Sequence, residues 1–487
     1  MIIKKNTQLS LTGAAPNDIK YGHRGLQIHF SERRALLVLI DGLIILLAAW
    51  GAFLLWQQPA DFGFNTTVFS AHWHWLLSLL GGWWMLAWLN DLYDVPTANN
   101  RILSAARVGT VTLLSLVMYL AILILRLYPL PHIFFGHFAL LALPGIILWR
   151  WTYAVVFNRP PFLHRMLIIG RSESRQAITR ILKQGHGVYC KVLGYLDNEP
   201  ASSPEAIEGV PCLGREGDLL HLVRQLQIHE VVVAVERNMD DTLFQELLEC
   251  QGLGVRVSWM PDVYEKLYHY IPVQHIDSTW ALHAMQARPA FNYAQQVGKR
   301  LFDLIMVILA WPLFTLALPL IALAIRLDSP GPIFYRQVRA GRAGKPFSIL
   351  KFRTMCVDAE KDGKARWAMK DDERITRVGR LLRKSRLDEL PQLLNVLRGE
   401  MSLVGPRPER PEFIQELERE LPFYRTRLMV KPGITGWAQI HYDYGNSVED
   451  GLVKLQYDFY YVRYWSLWLD LYIVFQTFGV VLRLKGL

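Results

Sequence analysis

The sequence predicts a membrane protein in three parts: an α-helical membrane bundle over 1–160, an α/β Rossmann-like domain over 161–280, and an α-rich domain over 295–487 with a re-entrant membrane helix at about 300–326. Three observations predict it. Four apolar stretches near the N-terminus are each long enough to cross a bilayer, which takes about 20 residues. Short buried-strand patterns then alternate with amphipathic helical ones, which implies a parallel sheet. A fifth apolar segment finally leads into a polar and strongly basic remainder.

The four stretches run over about 35–56, 75–92, 106–126 and 137–157. Lys4, Lys5, Arg24, Arg33 and Arg34 precede the first, and Arg101 and Arg107 lie between the second and third. Arg150, Arg159 and Arg165 cluster around the end of the fourth, and the other two loops are nearly free of cations. Both ends of the bundle are therefore expected to face the cytoplasm, with the later domains of this multi-pass chain on the cytoplasmic side. The first stretch lacks a small-residue cleavage site and is followed by others, so it does not read as a signal peptide.

Composition agrees. Apolar residues make up 52% of the chain and charged ones 20%, more hydrophobic than a soluble enzyme requires. The net charge of +10 sits beside apolar segments, a pattern that suits anionic headgroups and phosphate groups and not nucleic acid. Cys190, Cys212, Cys250 and Cys356 are scattered, with no spacing for a disulfide framework or a zinc site. His72 and His74 read as interfacial residues.

Pro160-Pro161 mark a boundary. Beyond it, Met166–Gly170, Val192–Leu196, Glu230–Val235 and Gly254–Trp259 read as strands, separated by helical patterns such as Ser174–Lys183 and Leu219–Leu226. The turn Gly170-Arg171-Ser172 lacks the later glycines that let a backbone approach a pyrophosphate. A structural or homodimerising role fits this module better than dinucleotide binding.

Leu301–Ile325 is bounded by Lys299-Arg300 and Arg326 and contains Pro312 and Pro319, each of which removes a helical hydrogen bond. A helix that enters, breaks and returns keeps everything after it cytoplasmic, provided protein satisfies the freed backbone groups. Hydropathy alone favours straight spanning.

The region 327–440 carries the chemistry. Arg336, Arg339, Arg342 and Lys345 precede Lys351-Phe352-Arg353-Thr354-Met355. Arg377, Arg380, Arg383, Lys384 and Arg386 lead into Leu387-Asp388-Glu389-Leu390-Pro391. Met401–Pro408, with Arg407, and Lys431–Gln439 follow. Two adjacent carboxylates among guanidinium groups can serve phosphoryl transfer, where Arg, Lys or Mg²⁺ neutralises charge and one or two carboxylates hold the metal. A carboxylate can also attack phosphorus and split one displacement into two. A surface ion-pair network explains the same residues equally well.

From about 299 onward the chain resembles the monotopic phosphoglycosyl transferases, the bacterial sugar transferase family, through the Lys351, Asp388-Glu389, Met401–Pro408 and Lys431–Gln439 segments in that order. The three-part layout resembles the large polytopic subgroup, which includes undecaprenyl-phosphate glucose and galactose phosphotransferases. The resemblance implies that Asp388 attacks a UDP-sugar, releases UMP, and passes the sugar phosphate to undecaprenyl phosphate. It implies Mg²⁺ at Asp388 and Glu389, and phosphate or substrate contacts from Arg383, Lys351, Arg353 and Arg407. Asp470, in Leu469-Asp470-Leu471, is implied as a further active-site carboxylate. The family places exopolysaccharide, capsule or O-antigen synthesis downstream.

Two departures stand out. Thr315-Leu316 occupies the place where smaller members break their membrane helix at Ser-Pro, and His441-Tyr442-Asp443 replaces an Asn-Gly-Arg run that bears on sugar choice. Val453–Leu484 is rich in Tyr, Trp and Leu, with Trp465 and Trp468 suited to an interfacial belt. Two rivals remain distinct. A membrane nucleotide-sugar dehydratase or epimerase needs a Tyr-x-x-x-Lys, and no tyrosine here has a lysine four residues later. A non-catalytic assembly scaffold leaves the Asp388-Glu389 constellation without a purpose.

Overall fold

The computed structural model describes residues 30–56, 80–124, 132–157, 164–170, 190–197, 209–234, 239–276, 278–286, 293–357, 372–442 and 447–482, with isolated positions at 78, 176, 178, 179 and 359. The chain divides into two compact units, one built mainly from residues up to His164 and the other mainly from residues 192–487. The first contains helices α1 (Phe30–Trp56), α2 (Arg101–Ile124) and α3 (His132–Phe157), and residues 80–89 are helical as well. Within them Glu32–Leu55, Arg101–Leu120 and Phe134–Phe157 are long and apolar enough to cross a membrane. Leu39, Leu47, Leu140 and Leu148 are exposed, as lipid-facing side chains are. The start of the second expected span, His72, His74 and Pro160-Pro161 lie outside the described residues.

One flanking cation is misread by the sequence pattern. Arg150 is only 2% exposed, and its guanidinium pairs with the Asp41 carboxylate and donates to the Leu92 carbonyl. Charges this deep persist where they are paired, so Arg150 fastens α1 to α3 and is no interfacial marker.

The second unit begins with a five-stranded sheet: β1 (His164–Gly170), β2 (Cys190–Leu196), β3 (Cys212–Gly214), β4 (Glu230–Ala234) and β5 (Arg256–Trp259), ordered β3-β2-β1-β4-β5. β1 pairs parallel with β4, β4 with β5, and β2 with β3. Helices α4 (Leu219–Leu226) and α5 (Asp241–Gly252) pack Leu222, Leu243 and Leu247 against Leu167, Val231 and Val233. Gly170 has φ +154, and a Cβ there would lie 2.5 Å from the Ala234 carbonyl. Close approach of β1 to β4 therefore requires this glycine. Arg171, Ser172 and most of the expected helix 174–183 lie outside the described residues.

After β5 the chain enters the core of the C-terminal region. Following α6 (Met260–Tyr268), Ile271 and Val273, with Ala281 of α7 (Ser278–Gln286), bury against Ile414, Leu417, Leu421 and Phe459. Glu265 accepts hydrogen bonds from Arg463 and from the Tyr464 hydroxyl. The sheet and the C-terminal region thus form one unit.

Helix α8 (Tyr293–Asp328) carries the fifth apolar segment, with Pro312 and Pro319 inside it. One stripe, Asp303, Val307, Phe314, Ile321 and Ile325, is buried, whereas Leu309, Leu313, Leu316 and Leu320 are exposed. That division suits a helix with protein on one side and lipid on the others. An antiparallel hairpin, β6 (Phe334–Ala340) with β7 (Pro346–Phe352), follows. Then come α9 (Arg377–Lys384), a 3₁₀ turn over Leu387–Gln392, α10 (Leu393–Arg398) and β8 (Ser402–Val404). Helix α11 (Pro411–Glu420) leads to β9 (Gly433–Thr435), which pairs parallel with β8, and α12 (Val448–Tyr464) and α13 (Leu467–Leu482) complete the chain.

Local chemistry explains these joints. Thr376 caps α9 by accepting from the Gly379 amide at 3.0 Å, and Ser447 and Asp450 form a capping box on α12. Asn395 accepts from the Leu350 amide and donates to the Ser348 carbonyl, which ties α10 to β7. Gly379 lets α9 lie on the strand exit: a Cβ there would stand 2.1 Å from the Thr354 carbonyl oxygen. Gly379→Ala is therefore expected to destabilise the protein by about 1–3 kcal/mol. A lowered thermal midpoint in a calorimetric scan checks it, and an unchanged midpoint contradicts the close approach.

Candidate active site

Four segments converge on Asp388 and Glu389. Arg386 adopts a left-handed conformation, φ 59, which ends the run of α9 and starts the 3₁₀ turn. An arginine in that region is under local strain of about 1 kcal/mol or more, a condition concentrated at functional sites. The turn buries both carboxylates, Asp388 to 7% exposure and Glu389 to 4%. β7 supplies Lys351, the end of α9 supplies Arg383, and the loop after β8 supplies Arg407.

The two carboxylates are treated very differently. Glu389 Oε1 accepts from Lys351 Nζ at 2.8 Å and from Arg407 Nη2 at 2.8 Å, and Arg386 Nη1 stands 3.9 Å from Oε2. Burial by itself raises the Glu389 carboxyl, but Arg407, Lys351 and Arg386 outweigh it and hold the group well below the usual carboxylate range. Burial also pushes the Lys351 ammonium down, against the pull of Glu389. Asp388 accepts no hydrogen bond from the described residues. Burial and then the neighbouring Glu389 charge raise it to about 6, in spite of Lys351, Arg383 and Arg407. The result is one locked, weakly basic carboxylate beside one open, more basic carboxylate.

The glycines of Met401–Pro408 and Lys431–Gln439 position Arg407. Gly405 N donates to the Thr435 carbonyl and Gly433 N to the Pro406 carbonyl, each at 2.9 Å. A Cβ on Gly405 would meet the Lys431 carbonyl at 2.3 Å. Only backbones without side chains cross this closely. Behind Arg407, the buried Arg427 donates to its carbonyl at 2.8 Å and pairs with Asp458 at 3.0 Å. Sequence reasoning passes over Arg427 and Asp458, because they are distant in the chain and belong to no recognised segment.

Two expected site residues are engaged elsewhere. Arg353 donates to the Pro330 carbonyl at 2.8 Å, the Ser329 carbonyl at 2.7 Å and the Ser329 hydroxyl at 2.9 Å, so it clasps the turn after α8. Asp470 is buried and accepts from Lys299 at 2.7 Å, from the Tyr461 hydroxyl at 2.8 Å and from Trp465 Nε1 at 3.1 Å. Arg383 stays with the site: its Nε donates to Thr354 Oγ1 at 2.9 Å and its charge acts on Asp388. Lys351, Arg383, Asp388, Glu389 and Arg407 thus share one place.

For a metal, no three His, Cys, Asp or Glu side chains converge among the described residues. A hydrated Mg²⁺ needs only one or two carboxylates and substrate phosphates. The unbonded oxygens of Asp388 fit that role, whereas those of Glu389 face three cations.

The family described as Bacterial sugar transferase matches residues 294–484, and one described as CoA-binding domain matches residues 89–261. The chain is 40% identical over 258 residues to a UDP-N-acetylgalactosamine-undecaprenyl-phosphate N-acetylgalactosaminephosphotransferase of Aeromonas hydrophila, covering 52% of this chain and 59% of that protein. It is 34% identical over 330 residues to a UDP-glucose:undecaprenyl-phosphate glucose-1-phosphate transferase of Xanthomonas campestris pv. campestris, covering 66% and 67%. A protein of the same name from Caulobacter vibrioides is 44% identical over 208 residues, covering 42% and 78%. The open carboxylate, its locked neighbour and the glycine crossing all lie inside the matched region, and the chain belongs to the bacterial sugar transferase family.

Proposed function

We propose that the chain moves a hexose-1-phosphate from a UDP-sugar, glucose or galactose, onto undecaprenyl phosphate at the cytoplasmic face of a bacterial inner membrane, the first step of an exopolysaccharide, capsule or O-antigen. The observation that carries this reading is the difference between Asp388 and Glu389. A nucleophile must be ionised, basic and unencumbered, and Asp388 meets all three conditions above about pH 7. Glu389 meets only the first. Its role is to hold Lys351 and Arg407 in place for phosphate oxygens.

In the first step an Asp388 oxygen attacks the sugar-linked phosphorus. The phosphorus–oxygen bond between the two phosphates breaks, and UMP leaves with the electron pair. In the second step an oxygen of undecaprenyl phosphate attacks the same phosphorus, the bond to Asp388 breaks, and the carboxylate is restored as undecaprenyl-diphosphate-sugar leaves. Arg383 and Arg407 offset the charge on phosphate during both displacements. Mg²⁺ held by Asp388 would neutralise further phosphate charge.

A re-entrant α8 supports the same reading. Near its start Arg300 donates to the Val396 and Leu397 carbonyls, and at its end Asp328 accepts from the Val378 amide. A straight helix from Arg300 to Asp328 is about 42 Å long. Yet Leu382 and Val396, on the two elements so contacted, share one core cluster with Val307 and Ile325. Return of both ends to one side of the bilayer satisfies these contacts.

Turnover, adduct formation, stability and pH dependence each test the proposal. Asp388→Asn is expected to abolish UMP release from UDP-glucose, UDP-galactose and UDP-N-acetylgalactosamine, and wild-type protein quenched with donor alone should carry a phospho-hexose adduct on Asp388 by mass spectrometry. The same variant should not lower the thermal midpoint, because charge at this buried carboxyl is disfavoured; a lowered midpoint favours an ion-pair network instead. Glu389→Gln should cost roughly 2 kcal/mol of stability, less than the about 3–5 of a fully buried pair because Lys351 and Arg407 are 19% and 26% exposed. For pH, protonation removes the nucleophile, so kcat/KM for the donor should fall about tenfold per pH unit below about 6 and level off above about 7. A profile flat down to pH 5 contradicts Asp388 as the attacking group.

A further inference from the structure

A cavity of about 130 Å³ opens between the start of α8 and the β8–β9 crossing, and neither Asp388 nor Glu389 lines it. Its walls include Lys299, Arg300 and Asp303 of α8, Arg342 of the β6–β7 turn, Lys431 and Trp465. Lys299 is neutralised by Asp470 at 2.7 Å and Asp303 at 3.7 Å. Arg300 donates to two backbone carbonyls at 2.6 and 2.7 Å, which carry no formal charge, so its own charge persists. Lys431, partly buried, has no hydrogen-bond or ion-pair partner among the described residues. Burial and the nearby Arg300 hold its ammonium below the usual value; Asp303 opposes them, and Arg342 and Lys299 add to the depression. A cation withdrawn from water beside other cations is unfavourable unless an anion completes the group.

The level of the cavity along α8 indicates which anion. From the adjoining turn onward Leu301, Ile305, Ile308 and Leu309 are exposed, and Trp468 is exposed a short way beyond Trp465. Lysine, arginine and tryptophan at the edge of an apolar surface mark headgroup depth. Pockets that enclose a drug-sized ligand measure about 300–1,000 Å³, so this space suits a headgroup phosphate and not a whole nucleotide sugar.

We propose that this cavity binds the phosphate of an anionic membrane lipid, with Lys431, Arg342 and Arg300 as its donors. Both an acyl phospholipid diester and a polyprenyl phosphate monoester present that chemistry. The assignment goes beyond the transfer reaction, and binding alone tests it, so its failure is separate from failure of the catalytic reading.

The test uses the full chain in nanodiscs of zwitterionic lipid, with either phosphatidylglycerol or undecaprenyl phosphate titrated in and binding read by native mass spectrometry. Lys431→Gln is expected to weaken retention about tenfold, the effect of one charge-assisted hydrogen bond. Lys431→Arg should retain most of it. Preference for phosphatidylglycerol identifies a structural lipid, and preference for undecaprenyl phosphate identifies a holding site for the carrier lipid apart from Asp388; either supports the site. Should Lys431→Gln fold poorly by thermal scan, Arg342→Gln on the hairpin turn takes its place and should show a comparable loss. Retention within twofold of wild type in a folded variant overturns the proposal, as does displacement of the lipid by an equal concentration of inorganic phosphate.

Discussion

Two cations meeting on one oxygen of Glu389 hold the site together. Lys351 comes from a β-hairpin and Arg407 from a loop beyond β8, and Glu389 sits on a turn between them in sequence. With Glu389 in place, two positive charges point at one spot without repelling each other apart. The same arrangement leaves Asp388 without a bonding partner among the described residues, and burial, then the charge of Glu389, raises it. Reactivity in one carboxylate thus owes to its burial and to restraint in the other.

The supporting structure makes this clamp rigid. β8 and β9 cross so closely at Gly405 and Gly433 that their backbones lock by direct hydrogen bonds, and Arg407 follows at once. Arg427 then grips the Arg407 carbonyl and is anchored by Asp458 of α12. Rigid positioning of this kind lets a guanidinium act on charge as it develops, with little reorganisation.

How much of this was legible in the sequence depended on whether a residue's partner was local. Asp388, Glu389, Lys351, Arg383 and Arg407 were readable because short segments carry them and their chemistry is explicit. Arg353 lay one residue from Phe352 on the same strand exit, yet it turns to Ser329 and Pro330, a preference no linear pattern reveals. Asp470 likewise answers to Lys299, far away in sequence. Arg150 looked like a topological marker because a count of flanking cations is blind to Asp41 on another helix. The strand Cys212–Gly214 is too short to show periodicity. The Rossmann-like sheet was clear from its alternating pattern, but the burial of Ile271 and Val273 among C-terminal residues was not.

That last feature sets where the chain can be cut. The indole of Trp437, within the Gly-Trp-Ala-Gln segment, donates to the His269 carbonyl at 2.7 Å, and Ile271 N bonds to the Gln456 carbonyl. The natural seam for recombining or transplanting the C-terminal portion therefore falls ahead of Met260, not at the stretch after Gln286. Residues 260–286 travel with the transferase portion as a fitted cover, whatever becomes of the sheet that precedes them.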